Sequence, residues 1–121
     1  MTRYSILGVW CVATLLAAAP AAQSDTKKVT GHLVDAVCAG NHATEAGYKE
    51  KHENSCNLMP VCVKSGYSLI LPDNSVLKFD EKGNEQALAF VKATKKDKDL
   101  KVTVTGAVKG QTIALQSISL D

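Results

Sequence analysis

A predicted helix lies between two predicted strand hairpins, and this order limits the fold of the chain more than any other feature. The first hairpin joins two predicted strands, residues 67–71 and 75–80, through Pro72-Asp-Asn74, a sequence rich in turn formers. The helix that follows has Asn84 as its predicted cap. It carries an apolar stripe at helical spacing, formed by Ala87, Leu88 and Val91.

The second hairpin shows the alternation of strands that bury one face. Apolar residues or glycine occupy every second position over residues 100–108, and Lys109-Gly110 supplies a turn. In the last strand the alternation changes phase after Leu115. A change of phase is expected where one strand contains an extra residue, so we predict a β-bulge near Gln116 or Ser117.

A further strand is predicted over residues 29–37, and a long connection, residues 38–64, separates it from the first hairpin. The order strand, long connection, two strands, helix, two strands is that of the five-stranded OB barrel. We therefore expect a mainly β domain with one helix, a small OB-like barrel over residues 29–121. A simple β-sandwich or an open α+β sheet is the alternative.

Residues 1–21 have the composition of an export signal. Arg3 gives a positive start, the apolar run 6–19 is too short to cross a bilayer comfortably, and Ala19-Pro20-Ala21 fits the small-x-small rule for cleavage. We expect cleavage after Ala21 or a residue or two later, followed by a flexible leader over residues 22–28. The mature protein is then secreted or periplasmic, with no stable membrane anchor. An uncleaved N-terminal anchor is the alternative.

Removal of the signal takes Cys11 away and leaves three of the 4 cysteines in the mature chain. An odd number is unusual in an oxidising compartment, where cysteines normally pair. All three lie in the long connection, and each of two histidines there stands four residues from a cysteine, in mirror-image order. Residues four apart share one face of a helix. The candidate metal ligands are Cys38, His42, His52, Cys56 and Cys62.

Three interpretations of this segment remain open. Cys38 can pair with Cys56 or Cys62 in a disulfide that ties the connection to the barrel. Alternatively, the sulfur and imidazole ligands suit Zn²⁺, or Cu⁺ with Met59 nearby. A free cysteine beside a histidine can also act as a redox thiol. Asp35 is the one candidate for an acid that orients the histidine, although Asp35 is rather expected to cap or turn the end of the strand.

Charge and aromatic content exclude one common function of OB barrels. The chain has 14 Lys and Arg against 12 Asp and Glu, a formal net charge of +2. No basic stripe accompanies the few aromatic residues, as nucleic-acid binding would require. We expect no nucleic-acid partner, and a small ligand, a metal ion or a protein remains as the partner.

Several motifs resemble a family of short secreted bacterial proteins that is classified as a domain of unknown function. They run through nearly all of the mature chain: Gly31-His-Leu-Val-Asp35-Ala-Val-Cys38, Cys62-Val-Lys-Ser-Gly66, Val102-Thr-Val-Thr-Gly106, Gly110-Gln-Thr-Ile113 and Ser117-Ile118. The resemblance implies secretion and a Cys- and His-containing segment joined to an OB-like β domain, without an established activity. The spacing from Cys56 to Cys62 is longer than in that family.

These observations predict an exported, non-enzymatic binding or structural module. Its Cys/His-rich connection, residues 38–64, is expected either to be closed by a disulfide or to hold Zn²⁺ or Cu⁺. No catalytic residue and no organic cofactor are predicted. The alternative function is that of a thiol-based redox protein that uses a free cysteine.

Overall fold

The computed structural model describes residues 26–121, and five strands in this range form a closed barrel in the order β1-β2-β3-β5-β4. β1 pairs antiparallel with both β2 and β4, and the parallel pairing of β3 with β5 closes the barrel. The strands are β1 (Thr26–Asp35), β2 (Tyr67–Ile70), β3 (Val76–Phe79), β4 (Lys101–Lys109) and β5 (Thr112–Leu120). The predicted small, mainly β, OB-like barrel is confirmed.

The long connection between β1 and β2 is folded into four short helices. They are α1 (Ala36–His42), α2 (Tyr48–Lys51), α3 (Asn54–Asn57) and α4 (Pro60–Ser65). A longer helix, α5 (Glu81–Ala93), lies between β3 and β4, where the single helix was predicted. The prediction of one helix missed the four short ones, because helices of 4 to 7 residues are too short to show an apolar stripe.

Apolar side chains from all five strands and from α5 fill the barrel. Among them are Leu33, Leu69, Leu77, Val91, Val102, Val104 and Ile113, each at most 5% exposed. A second, smaller cluster lies outside the barrel, where Val34 and Ile70 pack against Ala39 and Ala43. Because side chains alternate across a strand, β1 and β2 contribute one face to the barrel and the other to this cluster. The second cluster thus holds α1 against the barrel wall.

The start of α5 differs from the prediction. Asp80 is the N-cap, and its side chain accepts a hydrogen bond from the Gly83 N–H at 2.9 Å. Asn84, the predicted cap, lies inside the helix, and its Oδ1 accepts from the Tyr67 N–H at 2.9 Å. Both residue types cap helices well, so the sequence alone did not decide between them.

The predicted bulge in the last strand is confirmed. Thr105 pairs with Ser117 and Gly106 pairs with Leu115, so Gln116 is the extra residue in β5. A Cβ atom on Gly106 would overlap the backbone carbonyl of Ala114, which explains why glycine occupies this position.

The N-terminal boundary of the barrel lies earlier than predicted. β1 begins at Thr26, and Lys27 and Lys28 pair with Gly106 and Thr105 of β4. The last three residues of the predicted flexible leader, 26–28, are therefore part of the sheet. The predicted signal, residues 1–21, and the rest of the leader lie outside the described residues. Within residues 26–121, no helix is long and apolar enough to cross a membrane.

Candidate metal centre

The end of β1 delivers the first part of the site. Asp35 is the last residue of the strand and the N-cap of α1, and its Oδ2 accepts a hydrogen bond from the Cys38 N–H at 3.0 Å. A capping carboxylate satisfies one of the free N–H groups at a helix start, so this bond fixes the position of the carboxylate relative to Cys38. Asp35 is fully buried, whereas Cys38 is half-buried.

Helix α4 delivers the second sulfur. Pro60 occupies its first turn, which suits a residue without an N–H, and Gly66 ends it at a φ of 83°. Cys62 lies between them and is only 5% exposed. Its sulfur, the Cys38 sulfur and a carboxylate oxygen of Asp35 all lie within 4.8 Å of one another. Two thiols from separate helices and a buried carboxylate thus converge on one point.

A histidine approaches the same carboxylate from another direction. The Nε2 atom of His52 lies 3.2 Å from Asp35 Oδ1, and the His52 side chain is 4% exposed. Although the two atoms are this close, neither makes a hydrogen bond with proper direction, and both are fully buried. The two atoms face each other in a close polar contact, yet neither has the well-directed hydrogen bond that buried polar atoms nearly always make.

The electrostatic surroundings keep Asp35 ionised. Burial acts to raise the pKa of Asp35, but the His52 imidazole, the Cys38 N–H and the thiols of Cys62 and Cys38 together outweigh it. The net result is a pKa below the usual value for aspartate. Asp35 is therefore a carboxylate at neutral pH, the form that binds a cation.

The two thiols shift in the opposite direction. Burial, and next the negative charge of Asp35, raise the pKa of the Cys62 thiol to about 11. Burial also raises the pKa of Cys38, against the effect of a hydrogen bond with the Tyr48 side chain. Without a metal both cysteines are neutral thiols at physiological pH. A bound cation would reverse this, because coordination removes the thiol proton.

A buried asparagine organises the segment behind the site. Asn57 is fully buried, and its Oδ1 accepts from the Asp35 N–H at 2.9 Å. Its amide nitrogen donates to Asn54 Oδ1 at 3.3 Å, and its carbonyl accepts from the Tyr67 hydroxyl at 2.6 Å. These bonds tie α3 to β1 and β2. The sequence did not reveal Asn57, because a lone asparagine in a polar loop has no spacing that distinguishes it.

Of the five predicted ligands, the structure brings Cys38 and Cys62 together and places His52 against Asp35. His42 is turned away from this group, with Nδ1 2.7 Å from Glu45 Oε1 at the surface. Its ring stacks on Tyr48 at a centroid distance of 4.7 Å. Cys56 is half-buried and, like His52, lies outside the group of mutually close ligand atoms. Asp35 was expected only as a cap, and it is both a cap and a member of the cluster.

The mirror-image Cys/His pairs do not form two equivalent helical faces. Cys38 and His42 share α1, as predicted. His52 is the C-cap that follows α2 and Cys56 lies in α3, so the second pair does not share one helical face. In residues 26–121 the cysteines are free thiols, with no disulfide among them.

Most of the exposed large hydrophobic side chains lie on or beside the short helices between β1 and β2. Among the described residues, four of the five large hydrophobic side chains that are exposed belong to this segment: Val37, Leu58, Met59 and Val61. The remaining one, Leu120, ends β5. The exposed apolar surface is therefore concentrated around the helices that carry the cysteines.

Comparison of the chain with protein families, with curated proteins and with solved structures finds no match. The resemblance to a family of secreted bacterial proteins stays a prediction, and function has to be inferred from the site itself.

Proposed function

We propose that this protein is an exported binding module that holds one soft metal ion, Zn²⁺ in preference to Cu⁺, between Asp35, Cys38, Cys62 and His52. The observation that carries the proposal is the pair of unpartnered atoms, Asp35 Oδ1 and His52 Nε2, buried beside two thiols. A cation bound between them would give each atom the directed partner that their mutual contact does not provide.

The distances fit this donor set for Asp35, Cys38 and Cys62, whose ligand atoms lie within 4.8 Å of one another. His52 lies outside that group and contacts it through Asp35, so it would have to turn toward the sulfurs to complete the site. Zinc bonds to nitrogen and oxygen are about 2.0–2.2 Å long, so two such ligands in a tetrahedral site lie about 3.3 Å apart. Asp35 Oδ1 and His52 Nε2 are 3.2 Å apart. Two sulfurs at the usual zinc bond length of about 2.3 Å lie about 3.8 Å apart, within the 4.8 Å that encloses the thiols here.

The ligand types favour zinc over copper. Zn²⁺ accepts thiolate, imidazole and carboxylate, whereas Cu⁺ is selected by thiolate and thioether ligands. Asp35 is an oxygen donor and a fully buried member of the group. Met59, the thioether proposed as a copper ligand, is 50% exposed and is not required for the arrangement.

The proposal is tested by competition titration of reduced, metal-free protein with Zn²⁺ and, separately, with Cu⁺. We expect one Zn²⁺ per chain. Cys62→Ser is expected to lower zinc affinity roughly 100-fold or more, because even the loss of an outer partner costs about 10–100-fold. Cys56→Ser is the matched control, since Cys56 lies outside the group of close ligand atoms and, unlike His52, makes no ion pair with Asp35, and it should bind like the unaltered protein.

Two outcomes would count against this function. If Cys56→Ser and Cys62→Ser lowered zinc affinity equally, the metal would not be bound by the ligand set proposed here. Tighter binding of Cu⁺ than of Zn²⁺ under matched competition would reject the preference for zinc. Export is tested by the N-terminus of the mature protein, which we expect after Ala21 or a residue or two later.

A further inference from the structure

The two clustered cysteines can also react with each other. Cys38 in α1 and Cys62 in α4 have sulfur atoms within 4.8 Å. A disulfide requires an S–S distance of about 2.05 Å, so the two sulfurs have to approach each other by less than about 3 Å, through side-chain rotation or a shift of one helix. Both helices are short elements of the connection outside the barrel, so such a shift leaves the barrel strands in place.

The two thiols differ in accessibility. Cys62 is 5% exposed, whereas Cys38 is half-buried. A reagent from solution can therefore reach Cys38 but not Cys62. Thiol–disulfide exchange proceeds through a mixed disulfide, which requires one accessible attacking thiol and a second thiol nearby that resolves the intermediate. The pair has this arrangement.

We propose that the metal-free protein carries out thiol–disulfide exchange, with Cys38 attacking an external disulfide and Cys62 resolving the mixed disulfide. This activity does not depend on metal binding. A bound metal would occupy both sulfurs and prevent it, so the two functions exclude each other at any one moment.

The reaction balances in two steps. The small fraction of Cys38 that is ionised makes the attack, its proton having passed to solvent. The Cys38 sulfur bonds to one sulfur of the external disulfide, whose S–S bond breaks, and the departing half takes up a proton as a free thiol. The Cys62 sulfur then bonds to Cys38, and the second half leaves with the Cys62 proton. The protein dithiol is oxidised by two electrons, and the external disulfide is reduced to two thiols.

Cys56 supplies the control for this reaction. It is also half-buried, but its sulfur is not among the mutually close ligand atoms. If exposure alone decided the rate of reaction, Cys56 and Cys38 would react at similar rates, because both are half-buried. Proximity to Cys62 is the property that distinguishes Cys38, and the experiment has to separate these two causes.

The test uses Cys56→Ser with a metal chelator and oxidised glutathione as the external disulfide. We expect loss of two hydrogen atoms in the intact mass and a Cys38–Cys62 link in the peptide map. Adding Cys62→Ser should trap glutathione on Cys38, because the resolving thiol is gone. Adding Cys38→Ser instead leaves only Cys62 to react, and glutathione should add to it at least about tenfold more slowly than to Cys38, because Cys62 is buried.

Peptide mapping of the unaltered protein after brief exposure to the same reagent guards against variants that fail to fold. A link from Cys38 to Cys62 is expected there too. A link from Cys56 to either cysteine, or glutathione found first on Cys62, would overturn the proposal. Exchange without zinc binding would reject the metal function alone, and zinc binding without exchange would reject this inference alone.

Discussion

His52 Nε2 lies 3.2 Å from Asp35 Oδ1, and both atoms are buried without a hydrogen bond. The first prediction concerns this pair. We expect His52→Ala to weaken zinc binding about 10–100-fold, because it removes either a ligand or the group that orients Asp35. His42→Ala is the matched control, since His42 faces Glu45 at the surface, and it should change affinity less than about twofold. Competition titration measures both, and equal effects would contradict the account.

The ionised state of Asp35 predicts how the stability of the metal-free protein depends on pH. Its folded-state pKa lies below the ordinary value of 3.8, so the ionised carboxylate stabilises the fold above that pH. This contribution is lost as pH falls below 3.8 and through the lower folded-state pKa. Asp35→Asn has no such group. The difference in the free energy of unfolding between the two proteins should therefore shrink below pH 3.8.

Urea unfolding of both proteins at neutral pH and at successively lower pH provides the measurement. Asp99→Asn is a useful comparison, since His32 likewise lowers the pKa of Asp99, but at an exposed position. Its effect should be smaller because solvent screens exposed charges. A difference between Asp35→Asn and the unaltered protein that does not change with pH would contradict the assignment.

The alternation of residues explains how much of the fold could be predicted from the sequence. A period of two in residues 100–108 and its interruption near Gln116 directly reflect β pairing, and both predictions were confirmed. The short helices of the connection gave no such signal, since a helix such as α3 makes a single turn. Their positions depend on buried contacts like those of Asn57.

The candidate site was partly predictable for the same reason. Residue chemistry identified Cys38, Cys62 and His52, because few other side chains bind soft metals. Spacing along the chain did not separate them from His42 and Cys56, since the fold of α2 and α3 decides which side chains turn inward. Asp35 was recognised as a cap, and only the convergence of β1 with α4 shows that it also belongs to the cluster.

The Asn57 network gives a prediction for stability. Asn57→Ala leaves the buried Asp35 N–H without its acceptor, so we expect a loss of about 2 kcal/mol in the free energy of unfolding. Tyr67→Phe removes only the hydroxyl that donates to the Asn57 carbonyl, and about 1 kcal/mol should be lost. Denaturant unfolding of the metal-free variants measures both values. A larger loss for Tyr67→Phe than for Asn57→Ala would contradict the central position given to Asn57.

Two glycines predict opposite effects of the same substitution. Gly106→Ala should destabilise the barrel by about 1–3 kcal/mol, because the added methyl group meets the Ala114 carbonyl at the bulge. Gly40→Ala should stabilise by about 0.4–1 kcal/mol, since Gly40 lies within α1 and has no atom within 4 Å of the added group. Thermal unfolding should shift the midpoints in opposite directions. Shifts of the same sign would show that the bulge or α1 is wrongly placed.

The most direct measurement of the central claim is X-ray absorption at the zinc edge of protein loaded with one equivalent of Zn²⁺. It reports the types of ligand and their bond lengths. The account predicts two sulfur ligands at about 2.3 Å and two nitrogen or oxygen ligands at about 2.0–2.2 Å. Three sulfur ligands would mean that Cys56 joins Cys38 and Cys62 on the metal, and that result would contradict the site proposed here.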